Sequence, residues 1–369
     1  MANARWTALT WLGAATVAGC ANSPGTPSDG TGAGGSSVGS SNGGTESDGS
    51  ASSSSGSASS GSGGGSGSGG GTGSSSGSGS GSGSSSGSTV KKDAGSSSSS
   101  GSSSGGTVMT SGDGPMIPAV SGTCPTIATG TITVMGQQVQ IWAGKKGDTP
   151  APIVFYWHGT GSSATEAEAF MSAQISEVTG EGGVFASFTT STSMGTDTGD
   201  AVWYTGDFAM ADQILACAVQ QLNIDTRRII TAGCSAGGLQ SGAMLYGRSS
   251  YLACAMPNSG GTIGNFFMFE DKHVPSLITT HGGSADMVVI SFAMSSATED
   301  MSVASAAAGS SPPGGYVVDC NHGGGHCGAP ANDVAAQWQF CKDHPFGVSS
   351  DPYASGLPSS FPSYCTVIK

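Results

Sequence analysis

Positive charge is scarce in this chain: 369 residues carry 11 Lys and Arg against 24 Asp and Glu, a formal net charge of −13. So acidic a protein repels phosphate backbones, which excludes nucleic acid as an expected partner. Long apolar runs are missing as well. The stretch near the start, from Trp6 to Ala18, is about 13 residues, whereas a helix that stays in a bilayer needs roughly 20. From about Asn22 to Gly114 apolar side chains are almost absent; the segment is Gly, Ser and Thr with a few charges. No burial there can offset the entropy of ordering the backbone. The part left to fold is nearer ~250 residues, the size of one α/β domain with a full core.

What is present begins with an address. MANARWTALTWLGAATVAGC has Arg5, a short apolar stretch and small residues, the layout of a signal peptide. Val17-Ala18-Gly19-Cys20 resembles the lipobox of bacterial lipoproteins, which implies acylation of Cys20; Ala21 after it resembles lipoproteins sent on to an outer membrane. The expected organisation is therefore a signal peptide over 1–20, a disordered Gly/Ser tether over 21–118 and a catalytic domain over 119–369. As a flexible coil the tether reaches about 55 Å. The chain is expected outside the cytoplasm, secreted or held to a membrane by lipid alone. Of nine cysteines, the eight other than Cys20 form an even set, and disulfides are the default in an oxidising compartment. Proximity points to Cys320 with Cys327 and Cys341 with Cys365.

The folded part reads as alternating strands and helices. Residues 130–143 alternate apolar and polar about Met135-Gly136, as a hairpin with one buried face does. Residues 152–158, 184–188 and 228–232 are continuous apolar or β-branched runs suited to strands covered on both faces. Residues 206–222 have helical spacing, and a helix can continue over 239–246. Later strand candidates are 251–256, 276–280 and 316–318, with a closing helix over 331–343. This order predicts a mainly parallel α/β sheet with helices on both faces.

Gly233-Cys234-Ser235-Ala236-Gly237 contains Gly-x-Ser-x-Gly, a pattern that also recurs inside the Gly/Ser tract, for example at 73–77, 83–87 and 101–105. Context separates it from those decoys. The β-branched run Ile229-Ile230-Thr231 leads in and a helix-capable segment leads out, the strand, turn and helix of a nucleophile elbow. Glycines on either side are required because the turn is too tight for side chains there. The elbow strains the serine backbone and aims the N–H of Ala236 at a forming oxyanion.

A serine needs a base and an orienting carboxylate, in the chain order Ser, Asp, His. Asp286, in the loop after the strand ending near Thr280, is the best acid, with Asp319 as competitor; His326, in the glycine loop Gly323-Gly324-Gly325, is the best base, with His322 as competitor. The turn after His158, HGTG, resembles the oxyanion loops of esterases, so Thr160 or its neighbour Gly159 is the second oxyanion donor. His158 and His281 read as braces of their loops, and His273 and His344 as surface or packing residues. Cys320, His322, His326 and Cys327 could alternatively ligate zinc, but so close a set would strain a tetrahedron and the thiols would be oxidised; no metal is assigned.

Through HGTG, Trp203-Tyr204, Asp207, Asp212, NIDTRRIITAGCSAGG, HGGSAD, GGGH and KDHPF, residues 128–345 resemble α/β-hydrolases of the polyhydroxybutyrate depolymerase and feruloyl esterase type. The resemblance implies a roughly eight-stranded sheet, a triad of Ser235, Asp286 and His326, ester hydrolysis through an acyl-enzyme, and no cofactor. Two departures stand out. Cys327-Gly328-Ala329-Pro330 follows the histidine where members often have Thr-Trp-Pro-Gly, and Cys234 stands where a larger apolar residue is common. The expected partner is an ester substrate, possibly polymeric. The alternatives are a serine peptidase of the same fold and a binding module that does no chemistry, the latter separable by phosphonate labelling of Ser235.

Overall fold

The computed structural model describes residues 114–192, 202–262 and 268–369. The expected signal peptide, Cys20 and all but the end of the tether lie outside the described residues. The chain already lies on the domain before residue 119: Met116 donates its N–H to the Ser250 carbonyl, and Ile117 packs against the core.

Nine strands form one sheet in the order β1-β2-β4-β3-β5-β6-β7-β8-β9, one strand more than the eight expected. They are β1 (Gly130–Val134), β2 (Gln137–Ala143), β3 (Ala151–Trp157), β4 (Val184–Phe188), β5 (Ile224–Cys234), β6 (Cys254–Asn258), β7 (Ser276–His281), β8 (Val317–Asn321) and β9 (Cys365–Ile368). Strands β4, β3, β5, β6, β7 and β8 run parallel; β1, β2 and β9 join antiparallel at the two edges. All seven residues of β3 are buried because each face is covered. Ile153, Phe155 and Trp157 enter one core with α2 (Phe208–Gln221), α3 (Ala236–Gly247) and α4 (Phe292–Ala307). Val154 and Tyr156 enter the other, with α1 (Glu166–Gly180) and α5 (Ala331–Asp343). That two-sided burial is why the strand reads as an unbroken apolar run.

The hairpin, β3, β4, α2 and α5 fall where the sequence places them. Strand β6 begins three residues later than expected, since Tyr251 and Leu252, though buried, turn back on Arg248 at the end of α3. Helices α1 and α4 and strand β9 carry no clear sequence signal. Helix α4, FAMSSATEDMSVASAA, is rich in small residues; its start is set by Ser291, whose side chain accepts the N–H of Met294. Among the described residues, no helix is long and apolar enough to cross a membrane.

Four disulfides join Cys124–Cys217, Cys234–Cys327, Cys254–Cys341 and Cys320–Cys365. Both pairings expected from proximity are wrong. Cys320 faces Cys365 directly across the antiparallel β8–β9 pair, and Cys341 on α5 packs onto Cys254 of β6. Cys327 is left to reach back to the end of β5. Neighbours in the sheet outrank neighbours in the chain.

Candidate active site

Strand β5 ends at Cys234, α3 begins at Ala236, and Ser235 between them has φ +57° and ψ −119°. The glycines are required by other backbone. A Cβ on Gly233 would lie 2.4 Å from the carbonyl oxygens of Gly237 and Trp157, and one on Gly237 would lie 1.7 Å from the Trp157 oxygen. Four non-glycine residues among those described have positive φ, namely Met135, Ser235, Ser259 and Cys327. Met135 belongs to the hairpin turn; the other three surround one site, as strain tends to do.

Ser235 Oγ is 2.9 Å from His326 Nε2, and His326 Nδ1 is 2.7 Å from Asp286 Oδ1. With a carboxylate accepting at Nδ1–H, Nε2 is left to accept the serine hydroxyl proton. Asp286 is fully buried; its Oδ2 accepts the Gly282 N–H at 3.0 Å and the Ser259 hydroxyl at 2.7 Å. Burial pushes its carboxyl upward, but the hydrogen bonds from His326, Gly282 and Ser259 outweigh that and hold it below the ordinary carboxylate range. The Phe292 ring, at the start of α4, packs on the imidazole with centroids 4.7 Å apart. A Cβ on Gly282 would come within 2.2 Å of the Gly325 oxygen, so the acid and histidine loops touch backbone to backbone.

The HGTG turn lies against the elbow, a Cβ on Gly159 being only 3.3 Å from the Ser235 Cβ. The Gly159 N–H is committed to the Glu166 carboxylate at 3.1 Å, and Tyr156 donates to the same carboxylate at 2.9 Å. Of the two, Thr160, next in the chain, is then the candidate; Ala236 opens α3, where helix N–H groups lack intrahelical acceptors.

The competing residues are occupied elsewhere. Asp319 pairs with His281 Nε2 at 3.0 Å and accepts from Thr279; His322 Nδ1 accepts the Gly324 N–H. His281 and His158 brace their loops, the first also accepting the Gly283 N–H, the second contacting the carbonyls of Gly159 and Thr189. His273 and His344 are buried packing residues, stacked on Phe346 and Phe340. The zinc alternative loses its ligands, since Cys320 and Cys327 are in different disulfides and His326 faces Ser235.

Three contributors escape the sequence reading: Ser259, Phe292 and Glu166. Asn258-Ser259-Gly260-Gly261 marks a turn at a strand end, but nothing in the sequence places that turn beside the elbow.

Six parallel strands in this order, with a strained serine between the fifth strand and its helix, decide the architecture. This is the α/β-hydrolase fold. No family model and no curated protein matches the sequence. Among solved structures, α/β-hydrolase likeness is carried by native pOPH, with a TM-score of 0.52 at 17% identity over 66% of this chain and 97% of that one. Native sOPH gives 0.51 at 17% identity, over 68% and 96%. At such identity the likeness speaks for the fold.

Proposed function

We propose that this α/β-hydrolase is a serine esterase working outside the cytoplasm, hydrolysing carboxylic esters through an acyl-enzyme. The observation that carries the reading is the unbroken chain from Ser235 Oγ through His326 to the buried Asp286, with spacings of 2.9 and 2.7 Å. His326 takes the hydroxyl proton as Ser235 attacks the carbonyl, then delivers it to the leaving alcohol. Asp286 holds the imidazole tautomer and stabilises the imidazolium. The N–H groups of Ala236 and Thr160 receive the oxyanion, each donor being worth about 3 kcal/mol. Water, activated by the same histidine, releases the acid.

The loop after Asp286 and the first turn of α4 expose Met287, Val289 and Met294, at 59%, 77% and 72%. Exposed apolar side chains in the segment that follows Asp286 support an apolar ester, of feruloyl or polyhydroxyalkanoate type, and four disulfides support an oxidising location. The test is hydrolysis of methyl ferulate, a short nitrophenyl ester, a hydroxybutyrate oligomer and a peptide amide by the full chain, beside Ser235→Ala. Ester turnover lost in the variant is expected, and the preferred ester names the substrate. Turnover of the amide alone would make the protein a peptidase, and none at all a binding module.

A further inference from the structure

Strand β6 lies between β5, which carries the nucleophile, and β7, which carries the acid. A side chain at its end can therefore reach the loops that follow both neighbours. Asn258 accepts the N–H of Ser235 through its carbonyl at 3.0 Å, and Ser259 donates its own N–H to the Thr280 carbonyl at 2.8 Å. Held this way, Ser259 has φ +44° and no exposed surface. A backbone so placed is strained for a residue with a Cβ, and it persists because the surroundings hold it.

The hydroxyl has two partners. It donates to Asp286 Oδ2 at 2.7 Å and accepts the N–H of Cys327 at 2.8 Å. Cys327 follows His326 directly and is bonded to Cys234, which precedes Ser235. The contacts close a ring: Ser235, His326, Asp286, Ser259, Cys327, Cys234 and back to Ser235. Each donor and acceptor on it is used in one sense only, so the Ser259 proton points at Asp286 while its lone pair receives Cys327.

We propose that Ser259 is a positioning residue of the triad, fixing at once the carboxylate and the histidine loop so that the imidazole stays in line between Ser235 and Asp286. It touches no reacting atom and acts through Asp286 and His326. This rests on the esterase reading above. Without the hydroxyl, Asp286 keeps Gly282 and His326 but loses its third donor, and the backbone after His326 loses its acceptor. The imidazole then samples orientations that do not meet the serine.

The experiment compares Ser259→Ala and Ser259→Gly with the parent chain on a short nitrophenyl ester, with active sites counted by a phosphonate titrant. Ser259→Gly also relieves the left-handed strain, so it remains testable if the alanine variant folds poorly. The expected result is a fall in kcat per titrated site of about tenfold or more in both, with KM within twofold, and recovery of most of it in Ser259→Thr. A merely structural role would reduce the number of titratable sites and leave kcat per site within twofold of the parent; that result overturns the proposal. Ser235→Ala runs beside them: if it retains turnover, the esterase reading itself falls, and this proposal with it.

Discussion

The two halves of the sheet are held together by different chemistry. From β1 to β4 the stabilising matter is apolar: Trp157 stacks on Phe188 at 3.9 Å and meets Trp203 and Phe208 edge-on, all four without appreciable exposure. One disulfide, Cys124–Cys217, ties the segment before β1 to α2. From β5 to β9 aromatic packing continues, with Phe340 against His344 and Tyr353 and with His273 stacked on Phe346, but the interior also holds Asp286, Glu299, Asp300, Asp333 and the buried His273, His281 and His344, with three disulfides. Buried polar groups return little hydrophobic free energy and cost desolvation. The half that holds Ser235, Asp286 and His326 therefore adds three covalent cross-links to its aromatic packing, where the other half has aromatic packing and one cross-link.

The strongest way to separate the halves is to remove one group from each. Ser235→Ala should lower kcat by about 10⁴-fold or more on an ester, while the thermal midpoint stays near that of the parent. Trp157→Ala should do the reverse to the fold. Loss of a fully buried indole costs about 3–5 kcal/mol, read as a lower denaturant midpoint. A Trp157→Ala protein as stable as the parent would mean that the aromatic cluster does not hold its half.

The disulfides offer a sharper contrast, because Cys124–Cys217 and Cys234–Cys327 each span 93 residues. Chain entropy then assigns both the same effect on the unfolded state, at most about 4–5 kcal/mol. Replacing either pair by alanine should lower the unfolding midpoint by comparable amounts. Only the Cys234/Cys327 double variant should also lower kcat per active site, by about tenfold, because that bond joins the residue before Ser235 to the residue after His326. Equal kcat in the two variants would reduce the second disulfide to a general clamp.

The same contrast explains what the sequence discloses. Apolar periodicity reports burial on sheets and helices, so β3, β4 and α2 were legible, as was the elbow through its flanking strand. Chain order and loop position favoured Asp286 and His326 over Asp319 and His322, and these are the two that lie in hydrogen-bond line with Ser235. The partners on β6 could not. Ser259 matters because β6 lies beside β7, a neighbour relation set by topology and invisible in local spacing. The disulfides failed for the same reason: Cys320 and Cys327 are seven residues apart in the chain, yet one faces β9 and the other β5. Cys234 and Cys327, the two departures from the resembled pattern, prove to be one feature, a bond that replaces packing with a covalent link.

The finest test lies in the polar half. Glu299 is buried on α4; its Oε1 receives the Thr262 hydroxyl at 3.4 Å and would stand 2.5 Å from a Cβ on Gly242, while its Oε2 has no partner among the described residues. Burial pushes its carboxyl up to about 8. The sign follows from proton binding. Below about pH 4.5 the group is neutral in both folded and unfolded chains. As the pH rises toward 8 the unfolded chain releases its proton while the folded one keeps it, so folded stability falls through that window and levels off above it. Asp286 has the opposite slope at lower pH: held below the ordinary range, it stabilises the fold once the unfolded carboxyl has ionised, and that contribution is lost as the pH falls through the folded value. Glu299→Gln, neutral throughout, should flatten the decline between pH 5 and 8 in denaturant unfolding and leave the acid limb as it was. An unchanged decline would mean that Glu299 is ionised in the folded protein and that its unpaired oxygen has found a cation or water.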